Sequence, residues 1–218
     1  MSANVPRHHK YHVIFDFDGT LIDSFACAVR VFNALAETHH FRQILPEEIT
    51  TLKQMDSKAW MRYFQVPLYK LPVIMYQAAQ YIQHDLLSLQ PFPGIAEMLQ
   101  HLHAAGCQLN VVSSNSKKNV KTWLAHHDLA PLFHRVAHAP HFYGKAKTLK
   151  QLIKQEHYTP INTCYIGDET RDIEAAQKSG IDSIAVTWGF HAETLLIQHR
   201  PNILARSPQD IVAAILNP

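Results

Sequence analysis

Cysteine is scarce in this sequence. The 218 residues contain only Cys27, Cys107 and Cys164, and these lie far apart in the chain. Their separation excludes both a disulfide-rich scaffold and a zinc site of the CxxC type. Each lies within an apolar stretch, where a buried thiol behaves as a small hydrophobic residue. This pattern is typical of a reducing compartment, and we expect the protein in the cytoplasm.

Excess charge of one sign and long apolar runs are missing as well. Twenty basic residues oppose 18 acidic ones, for a formal charge of +2, and no long basic run occurs. We therefore expect no nucleic-acid partner. The most apolar stretch, residues 71–89, contains three glutamines, a histidine and an aspartate. Residues 71–89 are therefore too polar for a membrane span, and the run Val13–Phe15 is too short for a secretory segment. We expect no membrane attachment.

Strand-like and helix-like patterns alternate along most of the chain. Strands are predicted at residues 13–15, 107–113, 136–139, 163–167, 183–187 and 203–204, and helices of the second half at 119–127, 147–156, 171–179 and 207–216. Such alternation predicts an α/β fold with a doubly wound parallel sheet. Residues 46–90 have a helical pattern without a strand. We therefore assign residues 1–23 and 92–218 to a core and 24–91 to a small α-helical domain inserted after the first strand.

Two aspartates follow the first predicted strand. In an extended chain the side chains of Asp16 and Asp18 project to one side, whereas those of Phe15 and Phe17 point away. Two carboxylates at one site repel each other, so a bound cation or a raised pKa is expected there. Asp, Gly and Thr also favour turns, and a simple turn is the alternative explanation of this segment.

Three further polar segments follow later predicted strands or precede a helix. Ser114 and Asn115 follow the second strand, Lys145 is placed in a loop just ahead of a helix, and Asp168 and Asp172 follow the apolar run 164–166. Each has an ordinary explanation, such as a helix N-cap or a solvated lysine. Together they are more informative, because the carboxyl ends of parallel strands meet at one edge of a sheet, where ligands bind.

These segments resemble, in this order, the four motifs of the haloacid dehalogenase (HAD) superfamily, specifically its phosphoglycolate-phosphatase-like branch. The matching residues are Asp16-Phe17-Asp18-Gly19-Thr20, Ser114-Asn115, Lys145, and Gly167-Asp168 with Asp172. The resemblance covers nearly the whole chain. It implies a Rossmann-like core, and it implies that the helical insert is the cap domain of the family.

The resemblance also implies a phosphatase mechanism. Asp16 is expected to be the nucleophile and Asp18 the general acid and base. Mg²⁺ would be held by Asp16, the backbone carbonyl of Asp18, and Asp168, with Asp172 in support. The substrate is expected to be a small phosphorylated metabolite. The residues expected to bind its phosphoryl group are Gly19, Thr20, Ser114, Asn115 and Lys145.

Some alternatives stay open at this point. Lys147 precedes the same helix as Lys145 and is the other candidate for the phosphate-binding lysine. Lys53, Lys58 and Arg62 of the insert are candidates for reading the leaving group. A phosphomutase would use the same nucleophile and return the phosphoryl group to a sugar, and a non-catalytic binding protein could keep the fold.

Overall fold

The computed structural model describes residues 12–140 and 144–217, and its strands form a six-stranded parallel sheet. The strands are β1 (His12–Phe15), β2 (Gln108–Ser113), β3 (Phe133–His138), β4 (Thr163–Gly167), β5 (Asp182–Val186) and β6 (Ile203–Ala205). Their spatial order is β3-β2-β1-β4-β5-β6. Phe15, at the end of β1, is level with Val111 of β2 and Ile166 of β4. The carboxyl ends of these three strands therefore meet at one edge.

Ten α-helices lie within the described ranges. They are α1 (Phe25–His39), α2 (Ile49–Leu52), α3 (Ser57–Tyr63), α4 (Leu71–Asp85), α5 (Ile95–Ala104), α6 (Lys117–His126), α7 (Gly144–Gln155), α8 (Thr170–Ser179), α9 (Glu193–Gln198) and α10 (Pro208–Leu216). None of these helices is both long enough and apolar enough to cross a membrane.

Helices cover both faces of the sheet, because the strands are apolar on both sides. In β1, Val13 and Phe15 pack on one face in a cluster with residues of α5, α6 and α10. Ile14 points to the other face, in a cluster with residues of α7 and α8. The predicted fold class, a doubly wound parallel α/β sheet with a Rossmann-like core, is confirmed.

The segment between β1 and α5 is helical and has an apolar cluster of its own. We call residues 25–88 the helical insert. Its cluster includes Val31 of α1, Leu52 of α2 and Ile74 of α4, all buried. The insert follows the first strand, as expected. The assigned domain boundaries stay a prediction, and residues 1–11 of the assigned core lie outside the described residues.

Two elements, β3 and α7, begin about three residues earlier than the sequence predicted. The strand β3 begins at Phe133 rather than at 136, because it is an edge strand whose first residues are partly exposed and lack an apolar run. The helix α7 begins at Gly144, so Lys145 lies in its first turn and not in a loop ahead of it. Gly144 was interpreted as part of a loop. In the structure it permits close packing against Pro140, whose Cδ would be 2.5 Å from a Cβ added to Gly144.

Candidate active site

Asp16 lies directly after β1, and only 2% of its surface is exposed. Its backbone N–H donates a hydrogen bond to the carbonyl of Ile166 at 2.8 Å, which continues the pairing of β1 with β4 by one residue. The flanking Phe15 and Phe17 are buried in the core. The alternation expected of an extended segment is therefore present, and it holds Asp16 at the edge where three strands end.

Lys145 joins Asp16 to Asp172. Its Nζ donates hydrogen bonds to Asp16 Oδ2 at 2.7 Å and to Asp172 Oδ1 at 2.5 Å, and all three side chains are buried. Burial alone would lower the pKa of Lys145, but the two carboxylates outweigh it and raise that pKa. Burial raises the pKa of Asp16, whereas Lys145 opposes this shift. Lys145 therefore carries a permanent positive charge against Asp16.

Asp168 is completely buried and is held through both carboxylate oxygens. The Thr20 hydroxyl donates to Oδ1 at 2.7 Å, and the Phe190 backbone N–H donates to Oδ2 at 2.7 Å. Thr20 was predicted to bind phosphate, and its hydroxyl hydrogen is engaged in this hydrogen bond to Asp168. Burial is the main cause that raises the pKa of Asp168 well above its usual range, followed by the charges of neighbouring carboxylates.

Two glycines allow the chain to close around Asp168. A Cβ added to Gly19 would lie 2.3 Å from Asp168 Oδ2, and a Cβ added to Gly189 would lie equally close to the same atom. Gly19 also has a φ of +74°, a conformation that side chains with a Cβ rarely adopt. Gly19 therefore contributes space and backbone shape, and not a side-chain ligand, to the site.

Asp18 faces the end of β2. Its Oδ2 accepts a hydrogen bond from Asn115 Nδ2 at 3.0 Å. Burial raises the pKa of Asp18 to about 6, against the effect of this hydrogen bond and with the help of the Asp16 charge. The N-cap of α6 is Ser116, whose Oγ accepts the N–H of Asn119. The preceding Ser114 is therefore not the cap of α6, and it lines the same cleft as Asp18.

The carboxylates of Asp16, Asp168 and Asp172 form a group in which one oxygen of each lies within 4.8 Å of the others. Together with the neighbouring Glu169 they are four acidic groups, against the cations Lys145 and Arg171. The Asp18 side chain is not in the group. Asp16 Oδ1 is buried and has no hydrogen-bond partner among the described residues. Three carboxylates with excess negative charge fit a divalent cation, which prefers oxygen ligands.

The family model of the haloacid dehalogenase-like hydrolases matches residues 13–186, which is most of the chain. The chain belongs to this family. The prediction of a HAD superfamily enzyme is thus confirmed. The predicted phosphoglycolate-phosphatase-like branch agrees with the names of similar proteins.

Relatives of this hydrolase match along almost its whole length. A phosphoglycolate phosphatase of Synechococcus elongatus is 34% identical, over 93% of this chain and 96% of that protein. The pyrophosphatase PpaX of Bacillus pumilus is 24% identical, over 93% and 95%. A crystal structure of a predicted phosphatase from Clostridium acetobutylicum superposes with a TM-score of 0.83 at 22% identity, over 97% of this chain and all of that one.

Two cavities of the hydrolase lie between the core and the helical insert. The larger, of about 630 Å³, is lined by Asp18, Ser114 and Asn115 on the core side and by residues of α1 and α4 on the insert side. The smaller, of about 310 Å³, is mostly apolar and extends into the insert. Glu169 and Arg171 line both cavities. The larger cavity therefore adjoins two of the predicted catalytic residues, Asp18 and Ser114.

The three insert residues predicted to read the leaving group differ in position. Lys53 Nζ donates to the Gly189 carbonyl at 2.8 Å and lies 4.6 Å from the centre of the Phe25 ring. Lys58 and Arg62 are exposed on α3, and neither lines the two cavities. Lys53 thus binds the core, and a role of any of the three in substrate selection stays a prediction.

Sequence reasoning missed the residues that close the site around β4 and β5. Glu169 accepts a hydrogen bond from Arg171 Nη2 at 2.5 Å, and His191 Nδ1 accepts the Thr170 backbone N–H at 3.0 Å. Burial lowers the pKa of His191, which accepts this hydrogen bond as a neutral ring. Arg171 lies inside the fourth motif and could have been noticed there. The segment 189–191 has no comparable signal in the sequence.

Proposed function

We propose that this hydrolase is a Mg²⁺-dependent phosphatase that acts on a small phosphomonoester through an aspartyl-phosphate on Asp16. The carboxylate of Asp16 carries the proposal. Its Oδ2 is bound by Lys145, and its buried Oδ1 is without a partner in the described part of the chain. A carboxylate held by a cation, with one oxygen open, is suited to nucleophilic attack.

We assign Mg²⁺ to Asp16, Asp168 and the backbone carbonyl of Asp18. Asp172 is assigned a supporting position on the family resemblance, and its two oxygens accept hydrogen bonds from Lys145 and from the Glu169 N–H. The chemistry that bound Mg²⁺ would supply is neutralisation of charge on the carboxylates and on the phosphoryl oxygens.

In the first half of the reaction, Asp16 Oδ1 forms a bond to phosphorus while the bond from phosphorus to the ester oxygen breaks. Asp18 in its acid form gives its proton to the departing oxygen, so the leaving group departs as a neutral alcohol. A pKa of about 6 suits this role, since part of Asp18 is protonated just below neutral pH.

In the second half, Asp18 is the base. Its carboxylate takes a proton from a water molecule, whose oxygen bonds to phosphorus as the bond to Asp16 breaks. The products are inorganic phosphate and the restored Asp16 carboxylate. Lys145 stays on Asp16 Oδ2 throughout, and the Ser114 hydroxyl and nearby backbone N–H groups hold the phosphoryl oxygens.

For the substrate we propose a short phosphorylated metabolite similar to phosphoglycolate. The name of the 34% identical relative supports this choice. The cleft beside Asp18 has a volume of about 630 Å³, which is ample for a small ester. We further propose a cytoplasmic location, which agrees with three cysteines that are buried as thiols.

A panel of phosphomonoesters tests the proposal, with wild type and Asp16→Asn assayed in Mg²⁺ and in chelator. We expect turnover by the wild type with Mg²⁺ alone. With a good leaving group, Asp18→Asn should accumulate a protein whose mass has increased by one phosphoryl group, because water is no longer activated. The double variant Asp16→Asn/Asp18→Asn should lack this adduct. Turnover that survives Asp16→Asn or chelation would contradict the mechanism.

A further inference from the structure

Arg171 is a positively charged residue of the site that has no role in the proposed mechanism. It is the second residue of α8, three residues after Asp168. Its Nη2 donates to Glu169 Oε1 at 2.5 Å, which fixes one side of the guanidinium. About 32% of the side chain is exposed, so part of it is accessible from the cavities that it lines.

The Nε atom of Arg171 is buried and has no hydrogen-bond partner among the described residues. Buried N–H groups without an acceptor are rare in folded proteins, because losing water without gaining a partner is unfavourable. Neighbouring acidic groups are already paired with other donors: Asp172 with Lys145, and Asp168 with Thr20 and Phe190. An oxygen atom of a bound ligand would supply the hydrogen-bond acceptor that Nε lacks.

The position of Arg171 indicates which part of a substrate it meets. It lines the large cavity together with Asp18, the group that would protonate the departing oxygen. Lys145, which holds Asp16, lines neither of the two cavities between core and insert. Arg171 thus faces the space beside Asp18, where the leaving group would lie, while Lys145 faces the attacking carboxylate.

We propose that Arg171 determines specificity by binding a carboxylate on the leaving group, so that the substrate class is short phosphorylated hydroxy acids. This inference rests on the proposed function. A planar carboxylate can accept from Nε and a second guanidinium nitrogen at once. A singly charged group also suits the surroundings, since Glu169 already balances part of the charge of Arg171.

Matched substrates test this inference: phosphoglycolate, which has a carboxylate, and ethyl phosphate, which is of similar size without one. We expect the ratio of their kcat/KM values to favour phosphoglycolate in the wild type. In Arg171→Gln this ratio should fall about 10- to 100-fold, the effect of losing hydrogen bonds between charged groups. Lys121→Gln is the control, because Lys121 is an exposed cation that lines neither of the two cavities. Its ratio should equal that of the wild type.

A second measurement covers the case in which Arg171→Gln is poorly folded. Arg171→Lys keeps the charge and loses the planar pair of donors, so its ratio should fall to an intermediate value. An unchanged ratio in Arg171→Gln, or equal losses on both esters, would overturn the inference, because Arg171 would then support the fold or the phosphoryl group. If the wild type hydrolyses neither ester nor any other of the panel, the proposed function fails first.

Discussion

Lys145 Nζ lies 2.7 Å from Asp16 Oδ2, although 129 residues separate the two in the chain. The pair is buried, and the same ammonium also binds Asp172. A buried carboxylate without such a partner would take up a proton to avoid the cost of an isolated charge. The contact therefore favours Asp16 in the ionised form that nucleophilic attack requires.

Replacing Lys145 tests this contact. We expect Lys145→Met to lose about 10²- to 10³-fold in kcat, the usual effect of removing one donor that stabilises developing charge. Lys147→Met is the matched control, because Lys147 is exposed on the same helix, and it should stay within about twofold of the wild type. Steady-state kinetics and thermal melts separate catalysis from folding. Activity lost in the Lys147 variant and kept in the Lys145 variant would reverse our assignment.

Metal binding is expected to stabilise the fold. A cation at 100 times its dissociation constant adds about 2.7 kcal/mol to the free energy of unfolding. We therefore expect Mg²⁺ to raise the Tm of the wild type and chelator to return it to the starting value. Asp168→Asn should remove the shift, since Asp168 is a proposed ligand. Asp23→Asn, an exposed aspartate close to the first motif, should retain it. An equal shift in both variants would show that Mg²⁺ binds elsewhere.

The pKa of Asp18 predicts a pH dependence of stability. This pKa is raised by burial to about 6 in the folded chain, against about 3.9 for an unfolded aspartate. The folded state therefore binds more protons between these values, and the stability from Asp18 is lost as pH rises through 6. The Asp18→Asn variant has no such loss of stability. We therefore expect its free energy of unfolding, relative to that of the wild type, to be about 1–2 kcal/mol larger at pH 7.5 than at pH 4.5.

Urea unfolding in chelator measures this difference without a contribution from metal. The change from carboxylate to amide preserves an oxygen that can accept from Asn115, so the comparison isolates the titration. A difference between the two proteins that is independent of pH would mean that Asp18 has an ordinary pKa.

Gly189 should tolerate no side chain. A Cβ there would lie 2.4 Å from the Asp168 Cβ and 2.4 Å from the Gly19 carbonyl oxygen, both atoms of buried or tightly placed groups. We expect Gly189→Ala to lose stability by about 1–3 kcal/mol, as overpacked sites do, and to bind Mg²⁺ more weakly. Gly106→Ala is the control: a Cβ there meets nothing within 4 Å, although its φ is +84°. It should lose some stability and keep full activity.

The sequence predicted the sheet and the edge at which its motifs meet, because alternation of apolar runs is a local pattern. Strand ends are local too, which is why Asp16 and Asp168 could be placed from their neighbours alone. The start of α7 was wrong, since the glycine before Lys145 serves close packing against Pro140 rather than a loop. That reason lies in a contact between segments, and no local pattern records it.

The residues that were overlooked depend on tertiary contacts in the same way. Phe190 contributes its backbone N–H to Asp168, and a backbone group has no residue-type signature. Arg171 stood inside a recognised motif, but its buried Nε and its two adjoining cavities are properties of the folded chain. The roles assigned to individual residues stay predictions until the variants are measured.

The hydrogen bond from Lys53 to the Gly189 carbonyl crosses from the insert to the core. The next residue, Phe190, donates its N–H to Asp168, so one peptide segment touches both the insert and the proposed ligand of the metal. A tilt of the insert away from the core would break the Lys53 contact and remove one restraint on this segment. We therefore expect the position of the insert and the affinity for the proposed cation to be linked, each altering the other by the same factor.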